Sequence, residues 1–153
     1  MTGDVGMLLA DAAATEAIGA RIAARLRPGD IVALEGALGM GKTTLARGVL
    51  AGLGFAGEVP SPTFAIVQPY APPEVRLPVW HVDLYRLETP GETAELGLEE
   101  ALEDGALLVE WPDRLDARQL AGALRLSFQD AANGGRRLTW QAPASWEERW
   151  PPR

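Results

Sequence analysis

The order of apolar and polar residues predicts helices and strands that alternate along the chain. From Asp11 onward, apolar residues recur every fourth position, which places them on one side of a helix that ends at the Arg27-Pro-Gly turn. The apolar run 31–34 has the length and composition of a strand buried on both faces. A second amphipathic helix is predicted over residues 42–53, with Gly54 as its C-cap.

The rest of the sequence is dominated by strand-like patterns. Prolines between the predicted strands 63–67 and 79–84 indicate a hairpin, and an Asn-Gly-Gly turn separates the last two predicted strands. A weaker helical pattern covers 89–102, with Thr89-Pro90 and Glu92 as its expected N-terminal cap. The predicted strands are 63–67, 79–84, 106–110, 123–128 and 137–141. This alternation predicts a single α/β domain over residues 1–153, in which a mixed β-sheet is flanked by helices, with a Trp/Pro-rich tail at 143–153.

Composition narrows the class of protein. At 153 residues with 47% hydrophobic residues, the chain can bury the core of one domain. It has no cysteine, which excludes disulfides and thiolate zinc sites, and its net charge of −7 disfavours direct binding of DNA or RNA. No apolar run is long enough for a membrane span and the first residues lack a basic signal region, so we expect a cytoplasmic protein without membrane contact.

The segment between the first predicted strand and the second helix carries the clearest chemistry. Gly36-Ala-Leu-Gly-Met-Gly-Lys-Thr43 fits the pattern G-x-x-x-x-G-K-[ST], and it lies between a strand and a helix as that pattern requires. The glycines allow successive backbone N–H groups to converge on phosphate oxygens. Lys42 then reaches the β- and γ-phosphates, and the hydroxyl of Thr43 can bind Mg²⁺. The sequence therefore predicts a nucleotide site in a P-loop NTPase-like fold.

The lysine count bears on which nucleotide is bound. Of the 14 basic residues, 13 are arginine and one is lysine, Lys42. Guanine-specific P-loop proteins usually recognise the base through an Asn-Lys-x-Asp motif, which would need a second lysine. We therefore expect ATP or ADP.

Two predicted strands end in an acid, Asp83 and Glu110. Magnesium at a P-loop is bound by carboxylate and water oxygens, so either acid can hold the metal while the other orients or deprotonates an attacking water. His81 shares the Asp83 side of its strand, either as a proton carrier or as a structural histidine. Trp111, next to Glu110, can pack against a nucleotide base or belong to the core.

The order of these motifs resembles the TsaE (YjeE) family of bacterial P-loop ATPases. After the P-loop come Ser61-Pro-Thr-Phe64, His81-Val-Asp-Leu-Tyr-Arg-Leu87 and Val109-Glu-Trp111. The resemblance runs from about residue 11 to residue 128, and the last three segments are more specific than the P-loop itself. Met40 departs from the family, which commonly has alanine there.

The resemblance implies an accessory ATPase for the synthesis of N6-threonylcarbamoyladenosine (t6A) on tRNA. Such proteins act with a complex of two related proteins, TsaD and TsaB, and contact tRNA only indirectly through that complex. The implied activity is a Mg²⁺-dependent ATPase that is slow alone and stimulated by these partners. A small-molecule P-loop kinase, with Arg114 and Arg118 in a lid, and a nucleotide-gated binding module that hydrolyses nothing are the alternatives.

The resemblance also implies roles for individual residues. Lys42 and Asp83 would be catalytic, with Asp83 the acid needed for hydrolysis, and Thr43 and Glu110 would hold Mg²⁺. Ser61, Thr63 and Tyr70 would form a switch-like loop near the γ-phosphate. The nucleotide-binding residues would be Thr15, Gly39, Met40, Gly41, Lys42, Thr43, Thr44 and Trp111.

Three further residues have two interpretations each. Arg86 either stabilises charge on the γ-phosphate or forms a surface ion pair. Trp146 and Trp150 in the tail either form a docking patch or pack back onto the sheet.

Overall fold

The computed structural model describes residues 6–36, 41–59, 67–85, 87, 92–93, 95–131 and 134–151. Its helices are α1 (Ala12–Arg25), α2 (Lys42–Gly52), α3 (Leu98–Asp104) and α4 (Ala117–Ala121). Its strands are β1 (Gly6–Leu9), β2 (Ile31–Glu35), β3 (Val67–Tyr70), β4 (Val79–Asp83), β5 (Ala106–Glu110), β6 (Leu124–Asp130) and β7 (Arg136–Gln141). Short 3₁₀ turns lie at Pro112–Arg114 and Ala144–Trp146.

The described strands form one sheet in the order β1-β7-β6-β2-β5-β4-β3. At its centre β6, β2, β5 and β4 run parallel, whereas β1, β7 and β3 are antiparallel to their neighbours. The sheet is therefore mixed, as the sequence predicts. Because the four central strands point the same way, their carboxyl ends meet at one edge of the sheet, where open α/β folds bind ligands.

Strand β2 separates the two halves of the hydrophobic core. Val32 and Leu34 point into the cluster that also contains the buried residues of α1 and α2. Ile31 and Ala33 point to the opposite face, where they pack with Leu98 of α3. The prediction that this strand is buried on both faces is confirmed.

Helices α1 and α2 pack closely against each other on one face of the sheet. The Asp11 carboxylate accepts a hydrogen bond from the backbone N–H of Ala14 at 2.9 Å and so caps α1. A Cβ on Gly48 of α2 would collide with the backbone of Glu16 in α1. Glycine at this position therefore permits the close approach that holds α2, and with it Lys42, in place.

Several predicted boundaries differ from the observed ones. The helical region predicted over 89–102 is interrupted: Glu92 and Thr93 are helical, but a turn follows, and α3 begins at Leu98 after Gly97, whose φ of 76° is incompatible with a helix. The second helix ends at Gly52, one residue before its cap, Leu53. Thr89, Pro90 and most of the predicted strand 63–67 lie outside the described residues, and β1, α4 and the 3₁₀ turns were not predicted.

The C-terminal tail packs back onto the body of the protein. Trp146 is fully buried, and Trp150 packs edge-on against Trp140 of β7 with ring centroids 5.2 Å apart. Between them, Arg149 forms a buried, bidentate ion pair with Asp30, with N–O distances of 2.6 and 3.0 Å. The tail is thus an integral part of the core, and its tryptophans do not form an exposed docking patch.

None of the helices in the described ranges combines the length and the apolar composition that crossing a membrane requires.

Candidate functional site

The parallel strands bring the two predicted acids to the same edge of the sheet. Asp83 ends β4 and Glu110 ends β5, and the two residues are directly paired in the register. Glu110 is also paired with Leu34 of β2, the strand that leads into the P-loop. Glu110 therefore lies one strand closer to the P-loop than Asp83 does.

A cleft at this edge is lined by most of the residues singled out from the sequence. Gly41 and the first turn of α2, the ends of β4 and β5 and the start of α1 all border it. The lining residues that were predicted are Thr15, Gly41, Lys42, Thr43, Thr44, Asp83, Glu110 and Trp111. The structure thus places these eight residues around one cavity.

Other candidates lie elsewhere or are not described. Gly39, Met40, Ser61, Thr63 and Arg86 lie outside the described residues.

Tyr70 lies in β3 and not in a loop. Its ring packs edge-on against Phe55 at a centroid distance of 4.9 Å. Burial raises the pKa of its hydroxyl. The implied place of Tyr70 in a switch-like loop is therefore wrong, because the strand directs its ring into the core.

Lys42 has the surroundings of a group that binds an anion. Its side chain is buried, with 4% of the residue exposed, and Nζ has no hydrogen-bond partner among the described residues. Burial lowers the pKa of the Lys42 ammonium group, and the carboxylates of Glu110 and Asp83 partly offset that effect. A buried cation without hydrogen bonds is costly, and phosphate oxygens would satisfy it.

Trp111 lies next to this ammonium group. Its ring centroid is 4.1 Å from Lys42 Nζ, close enough for a cation–π interaction, and 4.8 Å from the ring of Tyr85. The backbone of Trp111 has a φ of 58°, a left-handed conformation that is uncommon for a bulky residue. This turn directs the tryptophan into the cleft directly after β5. Trp111 therefore belongs to the rim of the site, beside the predicted phosphate-binding lysine.

Glu110 connects the P-loop helix to β4. Its Oε2 atom is 3.5 Å from the Oγ1 atom of Thr43 and 2.7 Å from Nε2 of His81. The hydroxyl of Thr43, in the first turn of α2, thus lies beside the carboxylate of Glu110 at the end of β5. Both groups have oxygen atoms that can bind a cation. This pair is the one that the family resemblance implies for holding Mg²⁺ beside the phosphates.

The oxygen atoms of Thr43 and Glu110 fit the way in which magnesium is usually held at a nucleotide site. No group of three or more His, Cys, Asp or Glu residues that could hold a metal ion occurs in the described part of the chain. Magnesium at nucleotide sites is usually held by one or two protein oxygens together with phosphates and water. Thr43 and Glu110 would supply those oxygens here.

Asp83 is the second acid of the site. Burial raises its pKa above the ordinary value, and the bond from the backbone N–H of Tyr85 to Oδ1, 2.9 Å long, acts in the opposite direction. The Glu110 carboxylate raises this pKa, whereas the ammonium group of Lys42 lowers it. A carboxylate with a raised pKa is a stronger base, which suits the acceptance of a proton from water.

The raised pKa of Asp83 predicts a dependence of stability on pH. The folded protein binds the proton of Asp83 more tightly than the unfolded chain does, so this stabilisation is complete below the unfolded pKa of about 4. It is lost as the pH rises through the folded pKa. We therefore expect Asp83→Asn to be more stable than the parent protein near pH 7, with a smaller decline in stability from pH 4 upward.

Urea unfolding of both proteins at several pH values checks this expectation. Asp113→Asn is the control, because Asp113 is exposed. Parallel stability curves for the parent protein and Asp83→Asn would contradict it.

Part of the cleft was not predicted. Leu9, Asp11 and Ala12, between β1 and α1, form one side of it, and the turn 134–136 between β6 and β7 forms another. The Asn-Gly-Gly signal identified the turn itself. Its place at the site follows from the parallel pairing of β6 with β2, which brings the carboxyl end of β6 to the same edge as the P-loop.

Comparison with known proteins finds relatives that are named for the synthesis of threonylcarbamoyladenosine. Residues 9–138 match the model of the family described as threonylcarbamoyl adenosine biosynthesis protein TsaE. The tRNA threonylcarbamoyladenosine biosynthesis protein TsaE of Bacillus subtilis is 39% identical over 129 residues, which are 84% of this chain and 79% of the relative. The protein of the same name from Synechocystis is 44% identical over 119 residues, or 70% of this chain and 69% of the relative.

A solved structure agrees with the sequence relatives. The crystal structure of YdiB from Bacillus subtilis superposes with a TM-score of 0.76 at 31% identity, covering 97% of this chain and 91% of the other. The family match includes Lys42, Thr43, both acids and Trp111, all of which line the cleft. This chain therefore belongs to the TsaE family of tRNA threonylcarbamoyladenosine biosynthesis proteins.

Proposed function

We propose that this protein binds ATP with Mg²⁺ and hydrolyses it as an accessory ATPase of tRNA t6A modification, acting with the TsaD–TsaB complex. The observation that carries the ATP-hydrolysing part is the convergence of Lys42, Thr43, Glu110 and Asp83 at one edge of the sheet. The pathway rests on family membership. The partners rest on the resemblance to the family described above.

Each residue of the cleft has a separate task in this proposal. Lys42 and the N-terminal N–H groups of α2 bind the phosphates. Thr43 and Glu110 hold Mg²⁺, which when bound draws negative charge from the phosphate oxygens. Asp83 orients a water molecule and accepts its proton as the water oxygen attacks the γ-phosphorus, so that ADP and phosphate are the products.

The geometry gives little support to the kinase alternative. Arg114 donates from Nε to the backbone oxygen of Leu87 at 2.6 Å, and Arg118 forms an ion pair with Glu99. Neither arginine is among the described residues that line the cleft. The pair predicted for a kinase lid is therefore engaged elsewhere on the surface.

Lys42→Met tests the nucleotide site. Methionine keeps the length of the side chain and removes its charge. Hydrogen bonds to charged groups contribute about 1.5–3 kcal/mol, so we expect ATP affinity to fall by about 10- to 100-fold. Titration of ATP against tryptophan fluorescence measures this, since Trp111 lies beside Lys42.

The matched control is Arg47→Met, which removes a positive charge from the exposed side of the same helix. Unchanged ATP affinity in Lys42→Met, or an equal loss in Arg47→Met, would contradict the assignment of the phosphate site.

The partner dependence is tested by turnover. We expect phosphate release from ATP to be slow with the protein alone and to rise when purified TsaD–TsaB complex is added. ATP binding without hydrolysis under both conditions would support a nucleotide-gated binding module. Phosphorylation of a small metabolite without any partner would support a kinase.

A further inference from the structure

His81 is the one histidine of the chain, and the proposed hydrolysis of ATP does not use it. It lies in the middle of β4 with no exposed surface, and its Nε2 atom is 2.7 Å from Oε2 of Glu110. In the register His81 is paired with Leu108, so that Glu110 is its diagonal neighbour on β5, two residues further on the same face. The contact is therefore built into the pairing of two central strands.

The surroundings of the ring indicate which of its two nitrogen atoms carries the hydrogen. A carboxylate only accepts hydrogen bonds, so Nε2 must carry the hydrogen that lies between the ring and Glu110. Nδ1 is buried and has no hydrogen-bond partner in the described part of the chain. A hydrogen on Nδ1 would thus be a buried donor without an acceptor, which is costly. The neutral Nε2–H form of His81 satisfies both conditions.

Glu110 receives this bond on the oxygen that also contacts Thr43. The same Oε2 atom is 3.5 Å from Oγ1 of Thr43. A glutamate side chain has three rotatable bonds, and in a cleft it can adopt several positions that face away from the P-loop. The bond from β4 holds the carboxylate in a position next to Thr43.

We propose that His81 is a positioning residue, which donates a hydrogen bond from Nε2 to Glu110 and thereby sets the affinity of the Thr43–Glu110 pair for a divalent cation beside the nucleotide. This inference rests on the proposed function. His81 has no exposed surface and is not among the described residues that line the cleft, so it acts through Glu110. Hydrogen bonds to metal-binding side chains commonly change metal affinity by about 10- to 100-fold.

The test compares three substitutions at this position. His81→Phe fills the space of the ring but donates no hydrogen bond. In His81→Gln the amide N–H extends about as far from the backbone as Nε2 of histidine does. The side chain in His81→Asn is too short for its amide to reach Glu110. The probe is Mn²⁺, whose free concentration is measured by electron paramagnetic resonance in the presence of saturating ADP, so that no hydrolysis is required.

We expect His81→Phe and His81→Asn to bind Mn²⁺ about 10- to 100-fold more weakly than the parent protein, and His81→Gln to restore most of the affinity. ADP affinity without metal should be the same in all four proteins, because Lys42 and the N-terminus of α2 are unchanged. In a Glu110→Gln background, His81→Phe should cause no further loss. The recovery in His81→Gln and this non-additivity would not arise from a purely structural role.

Several results would overturn the proposal. Parental Mn²⁺ affinity in either His81→Phe or His81→Asn would do so, and if His81→Phe fails to fold, the comparison of His81→Asn with His81→Gln decides alone. A full effect of His81→Phe in the Glu110→Gln background would show that the histidine acts by another route. If the parent protein itself binds no Mn²⁺ with ADP, the proposed function fails together with the inference, whereas unaffected variants refute the inference only.

Discussion

Asp83→Asn is expected to slow ATP hydrolysis by about 100- to 10,000-fold, the usual contribution of a general base, while ATP still binds. Asparagine has nearly the same shape as aspartate, and its carbonyl oxygen can still accept the hydrogen bond from the backbone N–H of Tyr85. It cannot accept a proton from water at neutral pH. Phosphate release in a single turnover at saturating ATP measures the chemical step, and fluorescence titration measures ATP affinity.

Two controls make this result specific to the cleft. Asp113→Asn removes an exposed carboxylate from the 3₁₀ turn after β5 and should hydrolyse ATP at the parental rate. Glu110→Gln should instead weaken the metal dependence of nucleotide binding, because Glu110 lies beside Thr43. If Asp83→Asn hydrolysed ATP at the parental rate, the two acids would have to exchange their roles or the base would lie elsewhere.

Arg149→Met is expected to lower the free energy of unfolding by about 3–5 kcal/mol, the range for breaking a buried ion pair by removing one partner. Arg149 and Asp30 are both buried, and the guanidinium group also donates to the backbone oxygens of Arg25 and Ser145. Its plane lies over the Trp146 ring, 3.9 Å from the centroid. Methionine would leave Asp30 as a buried charge without its partner.

Urea unfolding measures this change as a lower midpoint with an unchanged slope. Arg118→Met is the matched control, because the Arg118–Glu99 pair has side chains that are 80% and 63% exposed and should contribute about 1 kcal/mol or less. The double variant Asp30→Leu with Arg149→Met should be less destabilised than Arg149→Met alone, because it leaves no unpaired charge. Equal, small losses in Arg149→Met and Arg118→Met would contradict a structural role of the tail.

Local patterns predicted the central elements well because those elements are defined by periodic burial. Ile18, Ile22 and Leu26 have helical spacing and are all buried. The run 31–34 is apolar on both sides because β2 has core on both faces. The helix predicted over 89–102 was wrong in extent because its amphipathic pattern is weak, and one left-handed glycine, Gly97, was enough to divide it.

Part of the site could also be predicted from local patterns in the sequence. Lys42 and Thr43 belong to a motif whose strand, loop and helix are consecutive in the chain, so the sequence contains all the geometry that is needed. Asp83 and Glu110 could be placed together only because acids at the ends of parallel strands meet at one edge. Which of them lies nearer to the P-loop depends on strand order, and that order places β5 between β2 and β4.

By itself, the sequence determined the P-loop, its single lysine, the two acids and the family, because these are local patterns or sets of motifs in a fixed order. Only the tertiary structure decided which distant residues meet. It paired His81 with Glu110, brought the turn 134–136 to the cleft and buried Trp146 and Trp150 in the core. The physical reason is that strand order and register set these contacts. Both depend on interactions between residues that are far apart in the chain.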